Sequence, residues 1–279
     1  MEKGGHLTLT GLFGHPVGHS RSPQMHNAAF AALGLPYVYV AFDVHPDRLR
    51  TAAESIRALG IRGVNVTIPH KVEVMKYLDR IAPEADMIGA VNTIVNENGV
   101  LVGHNTDGSG YVRSLLEETK LNLADAKVLV LGAGGAARAV VSALAMKGAG
   151  DILIVNRTRE KGDELARRIS SLCKAHSVTY DDLPELMQDV RLVVNTTSVG
   201  MYPQIEECPL DTSLLHEGLV VSDLIYNPLE TRLLREARLR GAIPHGGLGM
   251  FVYQGAEAFT LWTSVEAPVA IMRKAIKEK

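Results

Sequence analysis

The 279-residue chain has only two cysteines, Cys173 and Cys208, too few and too far apart for a disulfide framework or a four-ligand zinc site. Neither sign of charge dominates, since 29 Lys and Arg stand against 31 Asp and Glu for a net charge of −2. That balance supplies no electrostatic footprint for nucleic acid or an anionic membrane surface. No apolar run approaches the roughly 20 residues that span a bilayer. The segment MEKGGHLTLTGLFG lacks a basic region followed by a long apolar stretch, so a cytoplasmic protein is expected. Internal repeats and low-complexity runs are also missing. The ten histidines invite a metal hypothesis, most of all His15 and His19 in GHPVGHS. Gly14, Pro16 and Gly18 forbid the helix that would bring both rings to one face, and no Cys or Glu nearby completes a ligand set, so no metal is expected.

What the chain does have is 46% hydrophobic residues, enough to fill one large core or two ordinary ones. Strands read at LTLTGLF, YVYVAFDV and GVNVTI alternate with helical spacing in SPQMHNAAFAAL and PDRLRTAAESIRAL, which implies a largely parallel sheet. VNTIVNENGVLVGHN reads as a hairpin turning at Asn98-Gly99, ending in the polar cluster HNTDGSG, and YVRSLLEETK as a helix. From residue 127 the alternation restarts with KVLVLGAGGAARAVVSALAMKG, DILIVNRT and the helix KGDELARRIS. This places a domain boundary near residue 110. Later strands are expected at SVTY, RLVVN, LVVSDLIY and AIPHGG, and helices at LPELMQ, TRLLREARLRG, MFVYQGAEAFTLWTS and APVAIMRKAIKEK.

The stretch NVTIPHK is polar where a buried strand should not be. Alternation puts Val64, Val66 and Ile68 on one face and Asn65 and Thr67 on the other. Pro69 ends the strand and suits the first turn of a helix, which would set Lys71 at the helix end whose dipole disfavours a cation. An ordinary turn carrying an exposed lysine remains open at this point.

LGAGGAARA follows one strand and opens a helix, with Gly132, Gly134 and Gly135 and with Ala137 where the third glycine of GxGxxG would stand. Gly132 permits the tight turn, Gly134 lets the backbone approach a pyrophosphate, and the helix N-terminus attracts its charge. After the second strand a NAD site usually carries an acid for the ribose hydroxyls, whereas this chain has Asn156, Arg157 and Thr158, then Arg159 and Lys161. An acid repels a 2′-phosphate and an arginine fork pairs with it, so NADP is the expected cofactor.

A reductase needs groups to hold its substrate and move a proton. The candidates are Ser20 and Ser22, Asn65, Thr67 and Lys71, Asn92, Asn105 and Asp107. Together GHPVGHSRSPQMHN, GVNVTIPHK, GAVNT, GHNTDGSG, LGAGGAARA, VNRT, NTTSVGM, IYNPLET and GGLGMFVYQGAEAF resemble, in order, the motifs of the shikimate dehydrogenase family. The resemblance runs from about residue 10 to about residue 275. It implies an α/β protein of two domains. Residues 1–110 with 250–279 would form a substrate-binding domain with a mainly parallel sheet, and 111–249 a Rossmann-like NADP-binding domain. The C-terminal helices would return to the first domain, with crossings near 108 and 248. The implied reaction is reversible, NADP-dependent reduction of 3-dehydroshikimate to shikimate.

Carried over by motif, Ser20, Ser22 and Tyr226 would bind the substrate carboxylate. Thr67, Asn92, Asp107 and Gln254 would hold the ring hydroxyls, supported by Asn65, with Lys71 and Asp107 as the acid/base pair. Gly132, Ala133, Gly134, Gly135 and Ala136 would hold the pyrophosphate and Asn156 to Lys161 the adenosine phosphate. Leu224 and Gly247 would lie beside the nicotinamide. One departure is Pro83, where several family members have a polar residue, which puts a cofactor contact there in doubt. A broader quinate/shikimate dehydrogenase and a non-catalytic NADP sensor are the alternatives, and the state expected is a monomer or homodimer.

Overall fold

The computed structural model describes residues 7–277. They form two compact units, one of residues up to Thr106 together with those from Val252 onward, the other Asp107–Phe251. The first contains β1 (Thr8–Gly14), α1 (Ser22–Ala32), β2 (Tyr37–Asp43), α2 (Leu49–Ala58), β3 (Gly63–Val66), β4 (Arg80–Ile81), α3 (Pro83–Ile88), β5 (Thr93–Glu97) and β6 (Val100–His104). Its sheet runs β2-β1-β3-β5-β6-β4. β1 pairs in parallel with β2 and β3, whereas β5 is antiparallel to both β3 and β6. The β5–β6 turn has Asn98 and Gly99 at φ 53° and 94°, the left-handed pair that a tight hairpin requires.

Three local expectations change. β3 ends at Val66, so Ile68 is 73% exposed rather than on the buried face with Val64 and Val66. No α-helix begins at Pro69; a turn leads to a five-residue 3-10 helix, Glu73–Tyr77, that starts two residues beyond Lys71. The dipole argument for Lys71 therefore loses its helix, because a single short turn lacks the aligned peptides that build such a field. Pro83, a departure from the family pattern, opens α3 in the first turn, where its missing N–H costs nothing.

In the second unit, α4 (Asp107–Thr119) and β7 (Lys127–Leu131) are followed by α5 (Gly135–Met146), β8 (Asp151–Val155), α6 (Arg159–Ile169), β9 (Lys174–Val178) and the single turn α7 (Leu183–Leu186). Then come β10 (Leu192–Asn195), β11 (Val220–Asp223), α8 (Arg232–Leu239) and β12 (Ile243–His245). Its sheet is parallel throughout, ordered β12-β11-β10-β7-β8-β9, with the order reversing at β7 as in dinucleotide-binding folds. α4 begins inside HNTDGSG, four residues before the expected start. Asp107 suits a helix N-terminus, and Gly108 is needed because a Cβ there would lie 2.8 Å from the Ala139 carbonyl oxygen of α5.

α9 (Leu248–Thr263) leaves the second unit after Phe251, and its later turns, with α10 (Val269–Lys277), belong to the first. Trp262, 1% exposed, donates from Nε1 to the Ile94 carbonyl at 3.1 Å. A Cβ at Gly63 would fall 2.2 Å from that nitrogen, so the close approach of α9 to β3 demands glycine. Arg21 donates to the Ile276 carbonyl at 2.5 Å, tying α10 to the start of α1. No helix among the described residues is long and apolar enough to cross a membrane.

Candidate functional site

In the first unit the polar candidates gather where β1, β3 and β5 meet their loops. Ser20 donates to Ser22 Oγ at 3.2 Å, and the Ser22 amide returns a bond to Ser20 Oγ. Asn65 is buried, with Nδ2 donating to Thr93 Oγ1 at 3.0 Å and to the Asn92 carbonyl at 3.3 Å. Its Oδ1 accepts from Tyr39 Oη at 2.9 Å. Asn92 Oδ1 accepts from the Thr106 amide at 2.8 Å, and its Nδ2 donates to Thr106 Oγ1 at 3.0 Å. Asn105, also buried, donates from Nδ2 to the Ala90 carbonyl at 2.8 Å, a backbone-bracing role.

Lys71 is half-buried on a backbone fastened at two points. Its carbonyl accepts the Val91 amide at 2.8 Å, and His70, 1% exposed, bonds the Val44 carbonyl through Nε2 at 2.7 Å. Thr67 also anchors this turn, its amide donating to the Phe13 carbonyl at 2.9 Å and its carbonyl accepting the His70 amide at 2.9 Å. Gln254 lies on the part of α9 that belongs to this unit. His15 is engaged by Asp43, Nδ1 to Oδ1 at 2.7 Å, and the described residues hold no group of three or more His, Cys, Asp or Glu able to bind a metal.

The second unit holds the other candidates. Gly132 adopts φ 107°, and a Cβ there would lie 2.7 Å from Thr196 Oγ1, so this turn requires glycine. Gly134 is the N-cap of α5, gives no side-chain cap, and has open space where a Cβ would be. The first amides of α5, including Gly135 and Ala136, therefore have no side-chain acceptor competing for them, while Ala133 is buried behind the loop. This is a cradle that an anionic pyrophosphate fits. At the end of β8, Asn156 Nδ2 donates to the Thr158 carbonyl at 2.8 Å, fixing the loop that presents Arg157, Thr158, Arg159 and Lys161, all exposed. Burial raises the Tyr180 phenol, and the Arg157 charge partly offsets that rise. The exposed arginine at this strand end suits a 2′-phosphate better than a bare ribose.

Leu224 and Gly247 meet directly: a Cβ at Gly247 would lie 2.1 Å from the Leu224 carbonyl oxygen. Tyr226 stacks on Phe251 with ring centroids 4.7 Å apart. Beneath this segment sits a residue that sequence reasoning passed over. Asp223 accepts from Thr231 Oγ1 at 2.7 Å and from the Ile225 amide and Asn195 Nδ2, each at 3.1 Å. Burial pushes its carboxyl up to about 6, with those three bonds opposing the rise. The signal was an acid inside the apolar run LVVSDLIY. Tyr39, Thr93 and Thr106 were passed over as well, although Thr93 and Thr106 stand inside GAVNT and HNTDG.

Residues 12–94 match the shikimate dehydrogenase substrate binding domain, residues 114–206 the shikimate/quinate 5-dehydrogenase family, and residues 247–277 the shikimate 5′-dehydrogenase C-terminal domain. The shikimate dehydrogenase (NADP(+)) of Methanopyrus kandleri is 50% identical over 275 residues, covering 97% of this chain and 95% of its own. The shikimate 5-dehydrogenase of Listeria monocytogenes, solved with shikimate and NAD, aligns with a TM-score of 0.92 and 41% identity over 98% of this chain and 97% of its own. The Thermus thermophilus enzyme, solved with NADP(H) and shikimate, gives a TM-score of 0.88 and 38% identity over 97% of this chain and 99% of its own. With half its residues shared along almost its whole length, and with both domain types matched in order, this chain belongs to the shikimate dehydrogenase family.

Proposed function

We propose that the protein reversibly reduces 3-dehydroshikimate to shikimate with NADPH, residues up to 106 and from 252 binding the substrate together with Asp107 and Tyr226, and the rest of 107–251 the cofactor. The observation that carries the reading is the buried array of Ser22, Asn65, Asn92 and their threonine partners in the first unit, set in a chain of this family. A polyhydroxylated acid needs many directional partners, and each one lost leaves a buried group unpaired. Ser20 and Ser22, with Tyr226, donate hydroxyl protons to the carboxylate. Thr67, Asn92, Asp107 and Gln254 bond the ring hydroxyls, and Asn65 holds Asn92 and Thr93 in register.

The cradle at Gly132 to Ala136 holds the pyrophosphate, Asn156 to Lys161 the adenosine phosphate, and Leu224 and Gly247 flank the nicotinamide. When bound, NADPH supplies the hydride. As the substrate carbonyl carbon is reduced, negative charge develops on its oxygen, and the Lys71 ammonium stabilises it and delivers a proton from Nζ. In the oxidation direction Lys71 accepts that proton, and Asp107 orients it. A growing NADPH absorbance band when shikimate is added to protein and NADP supports the reading; no change at any pH rejects it.

The cofactor choice has its own test. Arg157→Ala is expected to raise KM for NADP by about 10- to 100-fold, the loss of one or two charge-assisted hydrogen bonds, with KM for NAD unchanged. Equal loss with both cofactors would show that Arg157 does not read the 2′-phosphate.

A further inference from the structure

The hydrogen bonds of the first unit have a direction that can be read from groups unable to reverse. The Asn92 carbonyl can only accept, so the Asn65 atom facing it is Nδ2 and the opposite atom is Oδ1. Tyr39 Oη must therefore donate to Asn65. Asn92 is fixed in the same way, because the Thr106 amide can only donate and so faces Oδ1. Thr93 donates to that same Oδ1 at 3.0 Å while accepting from Asn65. The result is a one-way line from Tyr39 through Asn65 and Thr93 to Asn92.

Tyr39 is the only aromatic member of this line and is 2% exposed. Its ring is clamped. His26 stacks on it with centroids 4.4 Å apart and planes 7° from parallel, and Trp262 lies 5.9 Å away. Neither ring nitrogen of His26 has a partner, and burial lowers its pKa to about 3, so the plate under Tyr39 stays uncharged. Burial also holds the Tyr39 phenol above its ordinary range, which keeps on Oη the proton that Asn65 needs.

Resting on the proposed function, we infer that Tyr39 is a positioning residue for substrate binding, its hydroxyl holding Asn65, and through Asn65 and Thr93 also Asn92, at the ring-hydroxyl end. Its donation to Asn65 keeps the amide array in one orientation. Removing Oη leaves Asn65 Oδ1 buried without its donor and frees the amide to shift.

Tyr39→Phe keeps the ring and its stack. It is expected to raise KM and the calorimetric Kd for shikimate about five- to tenfold, the effect of one neutral buried hydrogen bond, with KM for NADP within about twofold of wild type. In the Tyr39→Phe/Thr93→Val pair the two losses should be less than additive, since both break one line. Thr93→Val breaks the line one step downstream and should shift shikimate binding in the same direction, so it serves where Tyr39→Phe does not fold. Wild-type shikimate affinity in Tyr39→Phe, or in Thr93→Val where only that variant folds, overturns the inference, as does a parallel rise in KM for NADP, the mark of a general structural fault. Absence of shikimate binding by the wild-type protein overturns the proposed function and this inference together.

Discussion

Lys71→Ala should lose turnover by about 10²- to 10⁴-fold while shikimate binding changes far less, because a proton donor acts mainly in the transition state. The surrounding geometry makes the expectation specific to the ammonium. The Lys71 carbonyl to Val91 amide bond, the His70 to Val44 bond and the Thr67 bonds are all made by other groups, so truncation at Cβ leaves the turn intact. Ser20 and Ser22 are also left in place to bind the carboxylate. Steady-state kinetics with saturating NADP decides the matter. Turnover within about tenfold of wild type, with KM for shikimate sharply raised, would make Lys71 a binding residue and leave the proton transfer to another group.

Asp223 gives the second large effect, on stability against pH. Burial raises its carboxyl from the ordinary 3.8 to about 6, so between those values the folded protein holds a proton that the unfolded chain has released. The resulting stabilisation is fully present below 3.8 and is lost as pH rises through about 6. The loss amounts to up to about 3 kcal/mol, at about 1.4 kcal/mol for each pH unit separating the folded and unfolded values. Asp223→Asn removes the charge while its amide can still accept from Ile225 and donate to Thr231. Urea unfolding from about pH 4 to pH 8 should show the difference in stability between variant and wild type growing in the variant's favour by that amount. Parallel curves would mean that the three hydrogen bonds already offset the cost of burying the carboxylate. Since Asp223 also grips the Ile225 amide beside Leu224, the same variant gauges how firmly the proposed nicotinamide wall is held.

The alternation of elements was legible because period-2 and period-3.6 patterns are long in this chain, and the glycine loop because its strand, turn and helix succeed one another directly. The Asn98-Gly99 hairpin was equally plain, since two adjacent left-handed residues restrict the sequence strongly. The segment after Pro69 was misjudged for a physical reason: a proline suits a helix start but does not supply a helix, and the chain settles there for a short 3-10 helix. The start of α4 was hidden by Gly108 and Gly110, which read as loop and are tolerated because Gly108 packs on the α5 backbone. Asn65, Asn92 and Lys71 could be picked out as polar residues at strand ends. Tyr39 could not, because an aromatic on an alternating strand looks like core until its hydroxyl is seen on Asn65. Asp223 was visible as an anomaly and was passed over because it lay outside the polar clusters.

Hydride exchange between shikimate and NADP is the reaction proposed for this chain. Its most direct test is kcat/KM for the four pairings of shikimate or quinate with NADP or NAD, measured on one preparation. Shikimate with NADP should lead, with Arg157→Ala closing the gap between the two cofactors. Faster turnover of quinate with NAD, or none with any pairing, would contradict the account.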